Sequence, residues 1–87
     1  MKKIRIRYSR RAVKFLENIP LDLRRRILEH IAELSENPFP KGCVKLGGVK
    51  NVYRLRIGDY RVLYKLFSEE NVILIVKIDH RRRVYKG

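Results

Sequence analysis

The chain has 87 residues with 45% hydrophobic content, room for one small core over residues 1–87 and none for a second domain. Twenty-two Lys and Arg against nine Asp and Glu leave a formal charge of +13, which predicts an anionic partner: nucleic acid, an acidic protein or a charged membrane surface. A lone cysteine, Cys43, excludes an intramolecular disulfide, and no apolar run reaches the length of a membrane span, so a cytoplasmic protein is expected.

Lys3 to Tyr8 alternates strictly, with Ile4, Ile6 and Tyr8 on one side and Lys3, Arg5 and Arg7 on the other, the pattern of a half-buried strand. Ser9 is a good N-cap for a helix carrying Ala12, Phe15, Leu16 and Ile19 up to Pro20. Asp22 is the expected cap of a second helix, whose stripe is Leu23, Ile27, Ile31 and Leu34 and whose end is Asn37-Pro38. The short link between them predicts a helical hairpin. Phe39 to Lys50, rich in Gly and Pro and without a period, reads as a loop.

Asn51 to Phe67 reads as a β-hairpin closed by the two-residue loop Gly58-Asp59, with Gly first as a type II′ turn prefers. Ile57 then faces Tyr60, Leu55 faces Val62, and Arg56 lies opposite Arg61 with Arg54 on the same side. Like charges directly opposite each other destabilise a sheet. An anion between them removes that cost, and phosphate suits the bidentate guanidinium. After the turn Ser68 to Asn71, Val72 to Ile78 is apolar on both faces and reads as a central strand, with Ile78 opposite Arg61.

The resulting expectation is an α+β fold of order βααβββ, an antiparallel-rich twisted sheet with the helical hairpin packed on one face. The helices would cover Tyr53, Leu55, Ile57, Tyr60, Val62, Tyr64, Leu66, Ile73 and Ile75. The other face joins the arginines to Leu63, Phe67, Leu74 and Val76, an apolar area that implies a partner. The tail from Asp79 to Gly87 adds His80, Arg81, Arg82, Arg83 and Tyr85 near the arginines.

The segment KLGGVKNVYRLRIGDYRVLYKLF, the Y-R-x-x-Y strand from Tyr60 to Tyr64 and the H-R-x-x-x-Y ending from His80 to Tyr85 resemble the RelE/ParE toxin superfamily, specifically its RelE-like branch of messenger-RNA endoribonucleases. The resemblance covers nearly the whole chain. It implies a catalytic surface of Arg54, Arg56, Arg61, Arg81 and Tyr85, metal-independent cleavage through the ribose 2′-hydroxyl, and no cofactor. It also implies a RelB-like antitoxin in a hetero-oligomer, and the ribosome with its messenger RNA as target. Tyr85 is the first candidate for general base and His80 the second, because some relatives carry lysines where this chain has Arg54 and Arg56, and arginine cannot surrender a proton. Arg24, Arg25, Arg26, Lys65, Arg82 and Arg83 are candidate RNA or ribosome contacts, with a solvated helix face as the alternative for the first three. His30, His80 and Cys43 have no metal-ligand spacing. A ParE-like gyrase inhibitor and a non-catalytic RNA-binding module are the competing functions.

Overall fold

The computed structural model describes residues 3–80. In chain order it contains β1 (Arg5–Tyr8), α1 (Arg10–Glu17), α2 (Leu21–Glu33), β2 (Cys43–Lys45), β3 (Val52–Ile57), β4 (Tyr60–Phe67) and β5 (Val72–His80). The strands form one sheet in the order β1-β5-β4-β3-β2. Only the β1–β5 pair is parallel.

Both helices lie on one face because their apolar stripes and the alternating strand positions must be buried together. Ala12 and Leu16 of α1, Ile27 and Ile31 of α2, and Leu34 just beyond it meet Leu55, Ile57, Val62, Tyr64, Ile73, Ile75 and Ile78 in a single core. Ser9 caps α1 as its type predicts, its Oγ accepting the Ala12 N–H at 3.1 Å. The cap expected at Asp22 lies two residues further back, at Pro20, which makes no side-chain cap bond. Asp22 sits instead in the first turn, where its carboxylate complements the positive end of the helix dipole.

The stretch read as a loop contains a fifth strand. β2 pairs antiparallel with β3, setting Cys43 beside Leu55 and Val44 beside Arg54. Three residues carry no readable period, so this strand owes its existence to the β3 edge it joins. Around it, Phe39 packs on Tyr53 at 5.1 Å between ring centroids and Tyr53 stacks on Tyr64 at 5.7 Å. The buried Tyr64 donates its hydroxyl to the Pro38 carbonyl at 2.7 Å, tying the end of the helical hairpin to the sheet.

The β4–β5 register also departs from simple counting. Phe67 pairs with Val72 and Tyr64 with Ile75, but Leu63 pairs with Lys77, so Val76 is an extra residue at a bulge. Without the bulge Val62, which is fully buried, would face Lys77. With it Val62 faces Ile78, and the apolar side chain enters the core in place of the lysine. Arg61 therefore lies opposite Asp79, not Ile78. The bulge is held from outside: the Ser9 hydroxyl donates to the Val76 carbonyl at 2.6 Å, and the Ser9 backbone N–H donates to the Ile75 carbonyl at 2.9 Å.

Candidate functional site

Gly58 has φ +57° and Asp59 is not among the residues of positive φ, as a type II′ turn requires. The turn pairs Ile57 with Tyr60, Arg56 with Arg61 and Leu55 with Val62, as the sequence predicts. In a two-residue hairpin the closing pair exchanges the hydrogen bonds, so Arg56 and Arg61 form the next, non-hydrogen-bonded pair, with Cα atoms about 4.5 Å apart. Two guanidinium groups thus leave the same face of the sheet side by side.

Pairing across all the strands extends this into rows on the face opposite the helices. The first row is Arg56, Arg61 and Asp79; the second is Arg54, Leu63 and Lys77. The third runs Val52, Lys65, Leu74 and Arg7, and the fourth Phe67, Val72 and Arg5. Leu63, Phe67, Leu74 and Val76 are half-buried here, so the apolar area is less bare than composition suggests. Flanking Arg and Lys stems are suited to covering such positions while their charges stay in water.

Asp79 is the one carboxylate among the described strand residues on this face, and it pairs with Lys77 at 3.0 Å. Sequence reasoning missed it as a neighbour of Arg61, because only the bulge brings it there. It also missed Lys77, Arg7 and Arg5 as members of the same surface. Alternation in β1 identifies the side on which Arg5 and Arg7 lie, but their alignment with β5 is a long-range parallel pairing that no local pattern reveals.

His80 is not brought to the arginines. It follows Ile78 by two residues and so shares the helix side, where its ring meets Tyr60 edge-on at 4.8 Å. There it helps line a cleft of about 510 Å³ with Phe15, Arg11 and Lys14 of α1. The three arginines of α2 diverge as well. Arg24 donates from Nε to the Leu16 carbonyl at 2.7 Å, closing the C-terminus of α1, whereas Arg25 is exposed. Arg26 reaches the β3–β4 turn, where a Cβ added at Gly58 would lie 3.5 Å from its Nη2. Lys65 holds its ammonium 5.2 Å from the Phe67 ring centroid on the arginine face. Arg81, Arg82, Arg83 and Tyr85 lie outside the described residues.

Residues 6–85 match the family described as the ParE toxin of the type II toxin-antitoxin system parDE. RelE1 of Methanocaldococcus jannaschii is 34% identical to this chain over 98% of both. The crystal structure of the archaeal RelE–RelB complex from Pyrococcus horikoshii OT3 has a TM-score of 0.82 and 35% identity, covering 93% of this chain and 98% of that one. The toxin-antitoxin complex RelBE2 from Mycobacterium tuberculosis follows at TM-score 0.78 and 25% identity, covering 91% and 99%. The fold is that of a toxin of type II toxin-antitoxin systems. The chain belongs to the RelE/ParE toxin superfamily, as a RelE-like member. Among the described residues no helix is long and apolar enough to cross a membrane.

Proposed function

We propose that this toxin cleaves messenger RNA on the ribosome, in the cytoplasm, and is silenced by a RelB-like antitoxin bound to it in a hetero-oligomer. The observation that carries the reading is Arg56 facing Arg61 on the side of the sheet away from the helices, with Arg54 one row behind. RNA supplies its own nucleophile. The 2′-hydroxyl loses its proton and attacks phosphorus, a phosphorane forms, and the 5′-oxygen departs with a proton to leave a cyclic phosphate. Arg61 and Arg56 stabilise the charge that accumulates on the phosphorane, since guanidinium stays ionised and holds two oxygens at once.

Tyr85 is assigned the proton acceptor, as a phenol of reference pKa about 10 whose ionised form arginines beside it would favour. Arg81 binds the phosphate or assists the leaving group. The position of His80 on the helix side, against Tyr60, supports keeping it second to Tyr85. Complexes of relatives with RelB support the antitoxin as partner. The family description favours one other reading, a ParE-like toxin acting on DNA gyrase without cutting RNA.

Programmed ribosomes separate the two. Wild-type protein should cut the message, and Arg61→Ala should lose about a hundredfold in rate, as for removal of one preorganised donor, with its fold intact by circular dichroism. Gyrase inhibition with the message left whole would replace the ribonuclease reading by the ParE-like one.

A further inference from the structure

Beyond Arg54, Arg56 and Arg61, the outward face carries cations that the cleavage step does not use. They follow a course. Each of the last three rows carries at least one, Lys77 on β5 in the second, Lys65 on β4 and Arg7 on β1 either side of Leu74 in the third, and Arg5 on β1 in the fourth, so the charge drifts diagonally from β3 and β4 toward β1. Successive rows are two residues apart, about 6.7 Å along a strand, an interval comparable with that between neighbouring phosphates of an extended single strand. Four rows span about 20 Å, enough for roughly three nucleotides beyond the one being cut.

Between the cations lie Leu63, Leu74 and Phe67, half-buried surfaces against which bases can rest, Phe67 offering an aromatic ring. Arg5 and Arg7 are exposed, so their charge is presented to solvent. Asp79, the single acidic position among the described strand residues of this face, stands at the arginine end of the diagonal and leaves the far rows purely cationic.

We propose that this diagonal is a track for the phosphates of the substrate RNA strand on one side of the cut, with Lys77, then Lys65 and Arg7 together, then Arg5 at its successive rows. The proposal rests on the ribonuclease reading and extends it from the scissile phosphate to the flanking strand. A solvated surface would need no such progression across four strands, and an acidic peptide would need no interval matched to phosphates.

The test uses labelled single-stranded RNA carrying 2′-O-methyl groups, which cannot be cut, in lengths of about two nucleotides, spanning only the cut, and about six, which also reach the roughly three flanking nucleotides of the track. Fluorescence anisotropy over a salt series should show the wild-type protein binding the longer RNA at least tenfold more tightly. In Arg5→Gln/Arg7→Gln/Lys65→Gln that gain should disappear, and the slope of log K against log salt should fall by about 2, at roughly 0.7 per phosphate neutralised on a single strand. Arg5→Lys/Arg7→Lys, which keeps the charges, should restore most of the slope.

An unchanged length dependence in a triple variant that melts like wild type would overturn the track. So would an oligoglutamate that binds as tightly as the longer RNA and loses as much in the variant, since the surface would then be one for acidic protein. Long-RNA binding that depends on the diagonal, found together with uncut message on programmed ribosomes, would remove the ribonuclease reading and with it the track's place beside a cut, leaving the diagonal as an RNA-binding surface.

Discussion

Arg61 stands between unlike neighbours, Arg56 across one strand boundary and Asp79 across the other. Asp79 also holds Lys77, so one carboxylate tempers two cations at the place where a phosphate is proposed to bind. Asp79→Asn should therefore strengthen binding of an uncuttable oligoribonucleotide several-fold at low salt, with the advantage fading as salt screens it; weaker binding would show that Asp79 orients the arginines and does not compete with the phosphate. Tyr64 makes the opposite kind of contribution, inside the core. Burial pushes its phenol above the ordinary value of 10.0, with the nearby Cys43 adding to the rise. A folded-state pKa above the unfolded one gives stability that is complete below pH 10 and is lost as pH climbs beyond it. Tyr64→Phe lacks both the titration and the bond to Pro38. It should be about 1 kcal/mol less stable at neutral pH, and that gap should narrow above pH 10 in urea unfolding curves; a gap constant with pH would show that the phenol titrates alike in both states.

At the scale of elements, Ser9 joins three of them. Its Oγ caps α1 and its hydroxyl and N–H hold the two carbonyls where β5 bulges, just past the end of β1. Removing the oxygen with Ser9→Ala forfeits the cap, about 1 kcal/mol, and leaves the Val76 carbonyl without this donor, about 1 kcal/mol more. The melting temperature should drop by roughly 10 °C for a chain of this size, and Ser9→Thr should recover most of it. Indistinguishable melting of Ser9→Ala and wild type would mean that water replaces the hydroxyl. At the other end of β1, Ile4 N–H donates to the Ser35 carbonyl and the Ser35 hydroxyl returns to the Ile4 carbonyl at 2.8 Å, so the outer strand is tied to the segment after α2.

For the whole molecule, the sheet separates two chemistries: an apolar side closed by helices and a cationic side left toward solvent. Two partners are proposed for the cationic side, and they should respond differently to salt. RNA binding there is driven by phosphate contacts and should weaken by orders of magnitude between low and physiological salt. An antitoxin segment that lays an amphipathic helix over Leu63, Leu74 and Val76 draws on apolar burial, which salt does not screen. Co-expression with the neighbouring reading frame should thus yield a complex that survives 1 M salt during purification and does not cut message, whereas free, active toxin with no co-purifying protein would count against an antitoxin on this face.

Local patterns sufficed for much of this architecture. Strict alternation identified the first strand, Ser9 and the 3.6-residue stripe identified α1, and Gly58-Asp59 set a register that places Arg56 against Arg61, because a two-residue turn allows only one pairing of its flanking strands. The resemblance carried by the Tyr60 to Tyr64 strand and its surroundings led to the correct superfamily. Features that depend on distant segments were decided only by tertiary packing. β2 forms because the β3 edge offers it partners, and the bulge at Val76 exists because Val62 needs Ile78, not Lys77, inside the core. That single extra residue turns Asp79 toward Arg61 and sets His80 on the helix side. The parallel docking of β1 on β5 carries Arg5 and Arg7 to the cationic face across more than sixty residues of chain, a distance over which no sequence period can signal a neighbour.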